Sequence, residues 1–275
     1  MSDDSEAAVD LLRCDDSGAV PARDVVAREE PLEIQLCGAT LAVVMRTPGH
    51  DAELARGFLV TERVVRRAAD ITSIRYCTVV TDPDAEDNVI NVTLRDGVAI
   101  DLESLRRNLF ASSSCGVCGK ATMENALAVA PPLDDSARFE ARFFHGLADR
   151  LIAAQPIFAR TGGLHAAGLL APDGALLAVR EDIGRHNAVD KIIGWALERD
   201  RVPLSGHVLM ISGRISFEIV QKALAARLPA IAAVSAPSSL AVDLAARAGI
   251  MLVGFLRGGR FNVYGRRERL VTRDR

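Results

Sequence analysis

The rhythm of apolar and polar positions changes twice along the chain. Residues 1–28 mix Asp, Glu, Ala and Arg without a clear period, a composition that predicts a mobile acidic tail. From Leu32 the pattern turns strand-like. Leu32–Cys37 and Thr40–Met45 flank Gly38-Ala39, a glycine-first pair that fits a two-residue hairpin turn. Pro48-Gly49-His50-Asp51 interrupts the chain, and Ala52–Glu62 follows with Leu54, Phe58 and Leu59 at helical spacing and Asp51 as N-cap. Ile71–Val80 and Asn88–Leu94 read as strands, the second closed by Asp96-Gly97.

Beyond residue 120 helical patterns come first: Ala121–Val129, stopped by Pro131-Pro132, then a longer helix over Ser136–Ala154. Strands and helices of about ten residues then alternate. Leu164–Leu170 and Ala175–Val179 flank the turn Pro172-Asp173-Gly174. Ala188–Glu198, Phe217–Arg227 and Leu240–Ala248 read as helices. His207–Ser212, Ala230–Val234, Ile250–Phe255 and Phe261–Tyr264 read as strands. That order predicts βαβ units and a largely parallel sheet. The expected organisation is a tail over 1–28, a smaller strand-rich α+β domain over 29–110, a mobile loop over 111–120 and an α/β domain over 121–275. No internal repeat is visible.

Composition narrows the class. Of 275 residues, 49% are hydrophobic and 25% charged, which suits a soluble globular chain with a sizeable core. A net charge of −3 and an aromatic content of 4% argue against nucleic acid as the main partner. No apolar run reaches the roughly 18–20 residues that span a bilayer. The acidic start MSDDSEAAVD lacks the form of a signal peptide. A cytoplasmic protein is expected, where thiols stay reduced. The five cysteines are an odd number, as free thiols would be. Cys14, Cys37 and Cys77 stand alone and read as small core hydrophobes.

The remaining two cysteines carry the chemistry. Ser112-Ser113-Ser114-Cys115-Gly116-Val117-Cys118-Gly119-Lys120 places two thiols three apart, with a glycine after each. Three chemical readings stand beside the plain one of a glycine-rich surface loop with two idle thiols. Structural zinc wants four ligands, and neither a second pair nor a spaced histidine pair accompanies this one. A thioredoxin-like redox site would follow a strand, whereas Leu109–Ser114 is loop-like. A carrier thiol needs a thiolate in an accessible loop, which Lys120 and the amides opening a following helix would favour.

Two further segments are rich in charge. Arg180-Glu181-Asp182-Ile183-Gly184-Arg185-His186-Asn187-Ala188-Val189-Asp190-Lys191 runs from a strand end into a helix start. Open α/β sheets bind ligands there, although a capped helix entry with surface ion pairs gives the same pattern. In Gly254-Phe255-Leu256-Arg257-Gly258-Gly259-Arg260, paired glycines between arginines suit a phosphate, but they also occur in plain hairpins. Ser212-Gly213-Arg214 and Ser235-Ala236-Pro237-Ser238-Ser239 add two more anion-friendly loops at strand ends.

Taken together these segments resemble the formate dehydrogenase accessory sulfurtransferase family, FdhD. Ser114–Gly119, Thr161-Gly162-Gly163-Leu164-His165-Ala166-Ala167, Arg180–Lys191, Ser212-Gly213-Arg214-Ile215-Ser216-Phe217-Glu218 and Gly254–Tyr264 carry the resemblance, with Glu53-Leu54-Ala55-Arg56-Gly57-Phe58-Leu59 at the N-terminal side. The resemblance implies a cytidine-deaminase-like C-terminal core and a homodimer. It implies a sulfur carrier that takes persulfide sulfur from a cysteine desulfurase to the molybdenum cofactor, bis-molybdopterin guanine dinucleotide, before that cofactor enters formate dehydrogenase. Cys115 would hold the persulfide and Cys118 would assist. Phe255, Leu256, Arg257, Gly258, Gly259 and Arg260 would hold the cofactor as a bound substrate, with no resident metal. The alternative is a cofactor chaperone that moves no sulfur. Deamination is not expected, because His165-Ala166-Ala167 has Ala where the His-x-Glu motif needs its acid.

Overall fold

The computed structural model describes residues 5–77, 87–98, 127 and 130–271. Glu6–Asp15 (β1) and Gly18–Ala27 (β2) pair antiparallel. The mobile-tail reading of 1–28 is therefore corrected for 6–27: the segment is a hairpin. It docks through the ion pair of Arg160 with Glu6, so a distant partner holds what its own composition does not.

Glu30–Leu36 (β3), Ala39–Arg46 (β4), Ile71–Tyr76 (β5) and Val89–Leu94 (β6) form a four-stranded sheet in the order β4-β3-β6-β5. The β3–β4 turn is Cys37-Gly38, with φ of 50° and 84°, one residue earlier than the Gly38-Ala39 pair. Two consecutive left-handed residues match the twist of the strands. Asp51–Thr61 is helix α1, and its cap position is His50; Asp51 instead turns inward. Its carboxylate pairs with the buried Arg46 at 2.9 Å and accepts the Tyr76 hydroxyl at 3.1 Å.

The expected helix over 136–154 is broken into pieces. Phe139–Glu140 (β7) pairs with Leu270–Val271 (β14), a short 3-10 turn spans Ala141–Phe144, and only Leu147–Ala153 (α2) is helical. Gly146, at φ 71°, separates turn from helix, and Phe139 and Phe144 are drawn into a core. Pro156–Thr161 is α3.

The main sheet contains His165–Leu170 (β8), Leu176–Asp182 (β9), Val208–Ile211 (β10), Ala230–Ala233 (β11), Met251–Arg257 (β12) and Arg260–Gly265 (β13), in the order β13-β12-β11-β10-β8-β9. Only β10–β11 and β11–β12 are parallel pairs; β8–β9, β8–β10 and β12–β13 are antiparallel. The sheet is thus mixed rather than largely parallel, because the β8–β9 turn is too short for a crossover. Arg185–Glu198 (α4), Phe217–Ala225 (α5) and Ser239–Ala248 (α6) complete the α/β fold.

Central strands are buried on both faces, as their unbroken apolar runs require. Leu209 and Ile211 join a core with α4, α5 and α6, while Val208 and Met210 join a second with α2 and the phenylalanines. The first core continues through α4 and α1 to Leu32, Ile34 and Leu36 of the small sheet. The contact between α1 and α4 is backbone on backbone: a Cβ on Gly57 would lie 1.7 Å from the Asp190 carbonyl oxygen, and one on Gly194 would lie 1.8 Å from that of Glu53. The boundary expected at residues 110–111 lies outside the described residues. No helix among the described residues is long and apolar enough to cross a membrane.

Candidate functional site

Strands β9, β10, β11 and β12 end on the same edge of the main sheet, beside the start of β8. The segments leaving them are stitched side by side. Ser212 N–H donates to Ala166 O and Ser212 Oγ accepts from Ala166 N–H. Ile215 N–H donates to Ala236 O, and Phe255 N–H to Ser235 O. The four anion-friendly loops of the sequence therefore share one edge.

The β12–β13 hairpin is the expected cofactor loop. Gly258 and Gly259, at φ 52° and 78°, make the turn. Phe255 is left-handed at φ 55°, within a register irregularity between Gly254 and Arg257, and is 48% exposed. A bulky residue in that conformation is strained, and such strain gathers at functional sites. Leu256 alone of the six residues is buried, at 1%, and anchors the hairpin in the second core. It therefore holds the loop from below, and the ligand-facing candidates are Phe255, Arg257, Gly258, Gly259 and Arg260. Arg257 and Arg260 are cross-strand partners, both exposed. Like charges directly opposite each other are destabilising unless an anion lies between them.

Most of the charged run from Arg180 to Lys191 faces the protein. Arg180 holds Glu53 of α1 through two contacts of 2.5 and 2.8 Å. Glu181 accepts the amides of Ile157 and Phe158, which open α3. Asp182 pairs with Lys191 at 2.7 Å, and Lys191 also donates to Thr47 O. Asp190 binds Thr61 and Lys222; burial pushes its carboxyl up, and Lys222 draws it back. These groups join α4 to α1 and the small sheet, partners no local pattern could reveal.

Arg185 and His186 are the exceptions and turn to the strand edge. Burial, then the charges of Arg185 and Lys222, holds His186 down at about 4. Its Nε2 is 3.4 Å from Ser216 Oγ and 3.9 Å from Glu218. His165 at the start of β8 is lowered by burial and then by Arg185 and Arg214. Sequence reasoning grouped these residues by segment only; the recurrence of Arg with His or Ser after successive strands was the available signal.

Cys115 and Cys118 lie outside the described residues, as does the helix expected at 121–129 save Leu127. Cys14 and Cys37 are exposed and Cys77 is half-buried, which corrects their reading as core residues. Cys37 is exposed because it occupies a turn. No group of three or more His, Cys, Asp or Glu among the described residues is arranged to hold a metal ion.

The fold and this edge define a mixed α/β protein with arginine- and glycine-bearing loops where such sheets receive ligands. Known proteins give the particular class. The chain belongs to the FdhD/NarQ family, whose model matches residues 27–271. It is 52% identical over 254 residues to the sulfur carrier protein FdhD of Mycobacterium tuberculosis, covering 90% of this chain and 92% of that one. It is 51% identical over 261 residues to the sulfur carrier protein FdhD of Streptomyces avermitilis, covering 93% of each. A crystal structure from Desulfotalea psychrophila, provisionally assigned as a formate dehydrogenase accessory protein, matches with a TM-score of 0.76 at 25% identity. The match covers 97% of this chain and 99% of that one.

Proposed function

We propose that this protein is a cytoplasmic sulfurtransferase that carries sulfur to the molybdenum cofactor, bis-molybdopterin guanine dinucleotide, ahead of its insertion into formate dehydrogenase. Membership of a family whose relatives are named sulfur carriers supports the activity. The single observation that carries the acceptor half is the opposition of Arg257 and Arg260 across an exposed glycine turn. Two guanidiniums so placed are relieved by a pyrophosphate such as the dinucleotide contains, while the exposed Phe255 ring offers a face to a base.

The donor half runs through Cys115. Its thiolate attacks the terminal sulfur of a cysteine desulfurase persulfide, forming the Cys115 persulfide and releasing the desulfurase thiolate. Attack by Cys118 on the inner sulfur then expels hydrosulfide and leaves a Cys115–Cys118 disulfide, which cellular thiols reduce. Hydrosulfide with one proton replaces an oxo ligand of the cofactor as water. A homodimer is the expected working form, testable by sedimentation.

Incubation with a cysteine desulfurase and 35S-labelled cysteine tests the transfer. Thiol-reversible label should appear on the parent and be lost in Cys115→Ala, and that variant should fail to mature formate dehydrogenase, with Cys118→Ala impaired less. Unlabelled parent protein that still binds the nucleotide would favour a cofactor chaperone. For the acceptor half, Arg257→Ala or Arg260→Ala should weaken binding of GDP, a fragment of the cofactor, about tenfold to a hundredfold by calorimetry. That range corresponds to roughly 1.5–3 kcal/mol per charge-assisted bond. Unchanged affinity in both variants would reduce the hairpin to a turn.

A further inference from the structure

The strand edge holds a second set of groups that the hairpin does not use. Gly213 sits against His165 and Arg185: a Cβ there would lie 3.4 Å from His165 Nδ1 and 3.6 Å from Arg185 Cδ. His186 reaches Ser216, the N-cap of α5, while Arg185 begins α4. The positive ends of these two helices thus meet at the cluster; neither N-cap residue bonds a first-turn amide through its side chain, and in α5 the Glu218 carboxylate takes its own amide. Arg185 Nε is buried without a hydrogen-bond partner among the described residues.

Charge at this place is unbalanced. The groups acting on the two imidazoles come from each packed element: Asp182 and Arg185 from the β9–α4 segment, and Arg214, Glu218 and Lys222 from the β10–α5 segment. Asp182 is engaged with Lys191 and Lys222 with Asp190. Glu218 is the remaining carboxylate; it holds the Ser216 hydroxyl and its own amide and faces His186 and Arg185, while Arg214 stands exposed beside them. The opposed helix ends add to the positive side.

We infer that His165, Arg185, His186, Ser212, Arg214 and Ser216 form a binding site for a phosphate-type oxyanion, made of residues distinct from those of the β12–β13 hairpin. The hydroxyls, the guanidiniums and the first-turn amides are donors suited to a tetrahedral anion. Gly213 brings its backbone to within ordinary contact of His165 and Arg185 at that position. Burial, and after it the neighbouring cations, keeps the two imidazoles neutral; an arriving dianion offsets those cations and draws protons onto the rings. Uptake of the anion is thereby coupled to uptake of protons. The ligand is either a phosphate of a nucleotide or free orthophosphate, and this inference does not depend on the hairpin reading.

The test uses the full chain, with orthophosphate and GDP as probes. Calorimetry measures affinity and imidazole NMR, assigned with His165→Gln and His186→Gln, follows protonation. Orthophosphate should bind saturably and move the titration midpoints of both histidines upward. Arg185→Gln should weaken it at least tenfold, and so should the exposed Arg214→Gln, which serves if the first variant does not fold. Arg257→Ala and Arg260→Ala should leave orthophosphate affinity unchanged, which separates this site from the hairpin. If GDP also shifts both histidines and loses affinity in Arg214→Gln, the anion is the nucleotide's phosphate. If only orthophosphate does so, the free ion is the ligand. Immobile imidazoles with both probes, or unaltered affinity in folded Arg185→Gln and Arg214→Gln, overturns the inference.

Discussion

Asp190 shows how much a single residue holds at this junction. Its carboxylate lies on α4, wholly buried, and binds Thr61 on α1 and Lys222 on α5. Removing one partner of such a pair strands the other charge away from water. Asp190→Ala should therefore cost about 3–5 kcal/mol in urea unfolding, and Asp190→Leu with Lys222→Met should recover most of it. His186 gives a pH signature. Its value in the folded chain is about 4, against an ordinary 6.5. The unfolded chain takes the proton first, so stability should fall as pH drops from 6.5 toward 4 and be unaffected by this group above that window. His186→Gln should flatten that stretch of the pH–stability curve. The sequence made the Arg180–Lys191 run conspicuous without saying which charges face inward. Glu53, Thr47, Thr61 and Lys222 decide that, and they lie far away in the chain.

At the scale of elements, periodicity recovered those whose burial is regular. α4 and α5 begin within three residues of their expected starts, since one apolar stripe packs on one sheet face. Reading failed where tertiary contact overrides local pattern. The phenylalanines of 139–144 looked helical but are spread over the sheet, and the N-terminal hairpin is tied down by Arg160. Strand direction was equally hidden, because buried strands read as apolar whichever way they run. The β12–β13 hairpin proposed to hold the cofactor was legible as a motif, yet Leu256 as its anchor emerges only from the register slip. The α1–α4 crossing was invisible, although its two glycines stand in plain view. Gly57→Ala or Gly194→Ala must force the helices apart, since the obstructing atoms are carbonyls. Each should lower stability by about 1–3 kcal/mol or more, measured by denaturant midpoint, while improving intrinsic helix propensity.

At the scale of the whole molecule, the larger of the two cores runs from the small sheet through α1 and α4 to the main sheet. The chain contains three lysines, Lys120, Lys191 and Lys222. The side chains of Lys191 and Lys222 are 1% and 12% exposed, and both are clasped around the α1–α4 crossing. Amine acylation is thus closed to these two while the crossing is intact. The rate at which an acylating reagent marks them, read peptide by peptide in a mass spectrometer, becomes a clock for the opening of the core. Gly57→Ala should make that clock run faster, and it needs neither denaturant nor fluorophore.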